Sequence, residues 1–171
     1  MTTERAGGVT LKGAPLTVIG DTLDVGDTFP DVTLVAIDWT SVKLSQFAGT
    51  VLFISVVPSI DTGICDAQTR RFDQEAATMP GAKFITVSTD LPWAQRNWVG
   101  QVETKNITFL SDHKDMAFGD AVGVHVKEMR IEQRSIFVVD KNGIVQYAEY
   151  VPEIAQHPNY DAALAAVRKI L

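Results

Sequence analysis

The sequence predicts an α/β fold with a mixed central sheet, flanking helices and an N-terminal β-hairpin. Three observations carry that expectation. First, apolar runs of strand length at residues 51–57, 83–89 and 107–110 alternate with stretches of helical composition. Second, two late apolar runs, 135–139 and 144–151, are joined by Asp140-Lys141-Asn142-Gly143, a hairpin turn of the Asn-Gly kind. Third, Val9, Leu11, Leu16 and Val18 alternate with polar residues about a turn at 12–15, giving the early hairpin. The alternating units imply parallel strands with helices on both faces, and the late hairpin adds an antiparallel edge.

In chain order, residues 1–8 are polar and glycine-containing and are expected to fray. The hairpin follows, then a loop punctuated by glycine and proline, a short strand at 32–37 and one helical turn within 43–49. The strand at 51–57 is stopped by Pro58, which cannot continue a sheet ladder. A polar turn, Ser59-Ile60-Asp61-Thr62-Gly63, leads into a helix that continues through 69–79 and is ended by Pro80-Gly81. Strand 83–89 precedes Asp90, a candidate cap for a helix that opens at Leu91-Pro92-Trp93 and runs to Val102. Strand 107–110, a turn and cap at 111–114, and a short glycine-weakened helix follow. After the second hairpin and a loop at 152–158, Asn159 caps a terminal helix whose Leu164, Val167 and Leu171 share one face. With no internal repeat and no dividing linker, residues 1–171 read as a single domain on the thioredoxin-like plan.

The chain of 171 residues carries a net charge of −6, which argues against a nucleic-acid binder, since that would need a basic face. Its longest apolar run is too short to span a bilayer, and the N-terminus holds no apolar segment of signal-peptide length. A single cysteine excludes an internal disulfide and fits a reducing compartment, so a cytoplasmic location is expected.

That cysteine, Cys65, stands where a core strand gives way to a helix. A lone cysteine is more often a small core residue than a nucleophile. Here the preceding residues are turn-like, which places the thiol at a sheet edge, exposed, near the positive end of a helix dipole; both features favour the thiolate. Thr62 lies three positions earlier, so its hydroxyl can face the same space or serve as a helix cap. At least one of Arg70 and Arg71 reads as solvated surface.

The segment VPSIDTGICDAQTRRF resembles the active-site segment of the thiol peroxidases, a bacterial branch of the peroxiredoxins. The pattern Pro-x-x-x-Thr-x-x-Cys is met by Pro58, Thr62 and Cys65. The stretches VSTDLPWAQ, FLSDH, FVVDKNG and EYVPEI resemble the same family in the same order, over about residues 8–171. The resemblance implies a hydroperoxide reductase in which Cys65 attacks the O–O bond and becomes a sulfenic acid, with no metal or organic cofactor. It implies that Thr62 positions the attacked oxygen, that Pro58 shields the thiolate, and that Arg134 stabilises negative charge. From spacing alone Arg134 is an ordinary surface charge. The resemblance further implies a preference for organic hydroperoxides, thioredoxin or another thiol as reductant, and a homodimer.

The chain departs from the pattern at one place. Most members carry a resolving cysteine on the helix after the VSTDLP strand, and the matching residue here is Val99. Either an external thiol then resolves the sulfenic acid, which is the reading adopted, or the oxidised protein accumulates and overoxidises, or two subunits join through a Cys65–Cys65 disulfide. The rival reading is a redox sensor or thioredoxin-like interaction protein that is oxidised without turnover. A disulfide oxidoreductase is excluded because Thr62 fills the position of the other active-site cysteine. His113, His125 and His157 lack metal-ligand spacing, Asp112, His113 and Asp115 read as a turn and cap, and no phosphate-binding glycine motif is present. Trp93 and Trp98 flank the second helix opposite the expected site, with Trp93 partly in the core.

Overall fold

The computed structural model describes residues 2–171. The apolar run after residue 50 forms β5 (Val51–Val56), every residue of which is buried. Full burial on both faces is what a central parallel strand requires. β5 pairs in parallel with β6 (Ala82–Ser88), and β6 in parallel with β7 (Ile107–Ser111). The rest of the seven-stranded sheet is antiparallel. β10 (Ser135–Val139) and β11 (Val145–Tyr150) extend it beyond β5, and β3 (Thr33–Ala36) and β4 (Ser41–Lys43) extend it beyond β7.

Strand alternation sorts the core. Val51 and Phe53 turn to one face, where Phe72 and Ala76 of α1 (Gly63–Ala76) and Ala163, Leu164 and Val167 of α4 (Tyr160–Ile170) pack on them. Leu52, Ile54 and Val56 turn to the other, against Phe118 and Val122 of α3 (Ala117–Val122). Between them these side chains bury both faces of the sheet, and each fully buried aliphatic or aromatic residue contributes about 1.5–3 kcal/mol. α2 (Pro92–Val102) lies beside α1 through Trp98, whose indole N–H donates to Asp66. A smaller sheet of β1 (Glu4–Leu11), β2 (Ala14–Ile19), β8 (His125–Val126) and β9 (Ile131–Glu132) completes the fold.

Several local expectations are corrected. Residues 4–8 do not fray: they belong to β1, and Arg5 ties them down by donating to the carbonyls of Gly20 and Gly123. Lys12 and Gly13 both have positive φ, so the first hairpin closes in a two-residue turn whose twist matches its strands. In the second hairpin only Gly143 is left-handed, and the register shifts between Val138 and Val139, so that turn carries a bulge. α1 ends at Ala76 rather than Met79, because the Thr78 hydroxyl donates to the Glu75 carbonyl and tightens the exit. Asp90 does not cap α2; Leu91 occupies the cap position without a side-chain bond, and Pro92 is in the first turn. Trp93 is 56% exposed rather than partly core, and Leu171 lies outside α4 and is half-exposed. Asn159 caps α4 as expected, accepting from the Ala162 N–H at 3.1 Å.

Candidate active site

β5 delivers the chain to the carboxyl end of the parallel strands, where open α/β sheets place their sites. The Val57 N–H still bonds to β6, through the Val87 carbonyl at 3.0 Å, and Pro58 then ends the ladder. The turn that follows is held from outside by Asp90. Its carboxylate accepts from the Ile60 N–H at 2.7 Å, from the Ser59 hydroxyl at 3.0 Å and from the Ser88 hydroxyl at 2.6 Å. Asp90 therefore fixes the loop between strand and helix, a role that sequence reading missed.

Thr62 is the N-cap residue of α1 by backbone conformation, with φ −114° and ψ 153°. Its side chain does not cap the helix; the hydroxyl donates back to the Ser59 carbonyl at 3.2 Å. Thr62, Gly63 and Pro58 line a cavity of about 440 Å3. Its far wall comes from Arg134 and from apolar side chains of β9 and the loop after β11, Ile131 and Ile154 among them.

Arg134 is buried, 2% exposed, and not the surface charge its spacing suggests. One terminal nitrogen donates to the Gln68 Oε1 at 2.8 Å and the other to the Ile154 carbonyl at 3.0 Å, while Nε has no partner. Gln68 in turn donates to the Ser55 hydroxyl at 2.7 Å, so β5 and α1 together hold the guanidinium. No carboxylate pairs with it among the described residues. A buried, unpaired guanidinium on a residue that lines a cavity is suited to an anionic or oxygen ligand. Gln68, three residues after Cys65, carries a sequence signal only in retrospect: it is a polar residue on the buried face of its helix.

Cys65 corrects another expectation. It lies in the first turn of α1, but it is fully buried rather than exposed. Its side chain packs with Val57, Ile60, Trp98 and Phe109, and Val99 adjoins the same cluster. The structure thus gathers Pro58, Thr62 and Arg134 around one cavity, while Cys65, the residue after the lining residue Ile64, turns into the apolar cluster beside it. Arg70 and Arg71 are ion-paired surface residues as expected, bonded to Asp66 and Glu75 at 2.7 and 3.2 Å.

The histidines take unrelated partners: His113 meets Ser111, His125 meets Asp120, and His157 meets Tyr160. Among the described residues no group of three His, Cys, Asp or Glu side chains could hold a metal ion, and no helix is long and apolar enough to cross a membrane.

A thioredoxin-like sheet with a cysteine in the first helical turn after its central strand is the layout of the redoxins, and residues 24–164 match the Redoxin family. Among curated proteins the chain is 47% identical over 163 residues to a thiol peroxidase of Bacillus subtilis (strain 168), covering 95% of this chain and 98% of that one. It is 46% identical over 161 residues to a thiol peroxidase of Listeria innocua, covering 94% and 98%. Among solved structures, a peroxiredoxin-like protein from Aquifex aeolicus superposes with a TM-score of 0.89 at 34% identity, covering 99% of both chains. The chain belongs to the thiol peroxidase family, and its activity is thiol-dependent peroxide reduction.

Proposed function

We propose that Cys65 is the peroxide-reducing cysteine and that Pro58, Thr62 and Arg134 form the pocket in which it acts. The observation that carries the reading is the shared cavity wall of Pro58, Thr62 and Arg134 at the head of the helix bearing Cys65. The thiolate attacks the terminal oxygen of ROOH and the O–O bond breaks. The sulfur loses two electrons and becomes a sulfenic acid, and the alkoxide takes a proton to leave as alcohol. Arg134 stabilises the charge that builds on the leaving oxygen, Thr62 orients the attacked one, and Pro58 keeps bulk water off the sulfur. The reaction requires the sulfur of Cys65, buried beside the lining residue Ile64, to reach this cavity. The apolar walls at Leu11, Met129, Ile131 and Ile154 favour organic hydroperoxides.

Val99 in place of a second cysteine means that an external thiol resolves the sulfenic acid. One thiol forms a mixed disulfide and releases water, and a second releases Cys65. Thioredoxin or a small thiol fills this role. The reading includes a cytoplasmic homodimer of single-domain chains, residues 1–171, for which light scattering of the purified protein reports the dimer.

The test follows organic hydroperoxide consumption with dithiothreitol and then with thioredoxin as reductant. Turnover in the wild type and none in Cys65→Ser is expected. One equivalent of oxidation followed by arrest with both reductants would instead establish the redox sensor.

A further inference from the structure

The mechanism leaves unused a pair of carboxyl groups beneath the cavity wall. Glu132, in β9, is fully buried, and neither carboxylate oxygen accepts a hydrogen bond from any described donor. The group that faces it is another acceptor, the Asp112 carboxylate. Asp112 is itself buried just after β7, and its two oxygens already accept the Phe118 and Gly119 N–H groups at 3.1 and 2.8 Å. Two facing carboxylates without a cation between them cannot both be ionised in such a place. One proton must lie between them, and the N–H groups that favour charge on Asp112 leave Glu132 to hold it. Burial pushes both carboxyls up, Glu132 well above the ordinary glutamate range.

No other group supplies a counter-charge. Asp90, from the loop after β6, adds negative charge to the surroundings. His125 stands opposite Glu132 in the β8–β9 pair, but its ring is turned to Asp120 at 2.6 Å. Arg130 donates to the His113 carbonyl, and Arg134 to Gln68 and Ile154.

The position of the pair gives it a consequence. Ile131, before Glu132, and Arg134, two residues after it, both line the cavity. Gln133 between them anchors the chain, its N–H on the Val124 carbonyl at 2.7 Å and its side chain on the Val151 carbonyl at 3.0 Å. We propose that Glu132 is held as a neutral acid hydrogen-bonded to the Asp112 carboxylate, and that this bond is a positioning device that fixes β9 and so sets Arg134 against the site. Removing the proton opposes two buried carboxylates, displaces β9 and withdraws Arg134. The catalytic consequence rests on the function proposed for Cys65; the location of the proton does not.

The experiment has two arms. Infrared spectra of the wild type minus Glu132→Gln, at neutral pH in heavy water, are expected to show the C=O stretch of a protonated carboxylic acid. Its absence overturns the proposal. The second arm is the single-turnover rate of Cys65 oxidation by cumene hydroperoxide. Glu132→Ala is expected to lose about tenfold, a part of what full removal of an electrostatic stabiliser costs. Glu132→Gln, a neutral donor of nearly the same shape, should restore the rate to within about twofold of the wild type. The wild type should then fall away from Glu132→Gln as pH rises into the alkaline range. A Gln-to-wild-type ratio that does not change with pH, or equal losses in Ala and Gln, overturns the positioning role. If no variant oxidises at all while the infrared band is present, the function proposed for Cys65 fails and the positioning role fails with it.

Discussion

At the scale of single residues, Arg134 carries the largest energetic burden. Its guanidinium is removed from water with no carboxylate beside it, and two hydrogen bonds, at 2.8 and 3.0 Å, offset only part of that cost. A fold retains such a group where the unspent N–H has work to do. Lysine keeps the charge but has a single nitrogen, so it cannot span Gln68 and Ile154 while also presenting a donor to the cavity. Arg134→Lys should therefore lower the rate of Cys65 oxidation by about 10²–10³-fold, with circular dichroism unchanged. A loss below threefold, read by stopped flow with an organic hydroperoxide, would remove Arg134 from the chemistry. Spacing alone made this residue a surface charge, because a sequence position just before a strand does not reveal which loops will close over it. The loop that does so, at residues 152–155, is contributed from beyond the next two strands, β10 and β11.

At the scale of elements, the long ones were legible and the short ones were not. β5, β6 and β10 are apolar runs long enough to read as buried strands, and α4 is long enough for a period of 3.6 to show. β8 and β9 have two residues each, too few for any period, yet they carry Ile131 to the cavity and Glu132 to Asp112. The exposure expected of Cys65 failed for a related reason. The sequence places the thiol at a helix start, but whether α2 covers it depends on how two helices pack. That packing is what brings Val99 into the apolar cluster around Cys65, with the Trp98–Asp66 hydrogen bond at 3.0 Å fixing α2 to α1. Val99→Cys would put a second thiol against that cluster without changing its volume much. One equivalent of hydroperoxide should then convert the variant to an intramolecular disulfide, read by mass as the loss of two hydrogens, where the wild type gains one oxygen. Accumulation of the sulfenic or sulfinic acid in the variant would show that α2 does not present residue 99 to the oxidised sulfur.

At the scale of the whole molecule, the first hairpin and the loop before α4 are clasped together over the cavity by one carboxylate. Glu153 accepts from the Thr10 hydroxyl at 2.6 Å and from the Lys12, Gly13 and Ala155 N–H groups at 2.9, 3.2 and 3.2 Å. Backbone bonds join the same segments, Thr10 N–H to the Pro152 carbonyl and Ile154 N–H to the Thr10 carbonyl, both at 2.9 Å. This closure seats Leu11, Ile154 and Ala155 in the cavity wall and brings the Ile154 carbonyl to Arg134. The four donors, led by the Thr10 hydroxyl, hold the Glu153 carboxyl down at about 2 from an ordinary 4.5. A depressed carboxyl stabilises the fold above its unfolded value and loses that contribution as pH falls through the folded one. The clasp should thus be at full strength above about pH 5 and weaken progressively between about pH 4.5 and 2. Glu153→Gln cannot accept at both oxygens and has no proton to take up there. Its melting temperature should lie below the wild type's at neutral pH, with the difference closing on acidification. The same variant should widen the cavity entrance and leave the hydrogen bond between Gln68 and Arg134 in place. A gap in melting temperature that stays constant from pH 7 to pH 3 would mean that Glu153 contributes packing alone, and that the closure over the site is held by the backbone bonds.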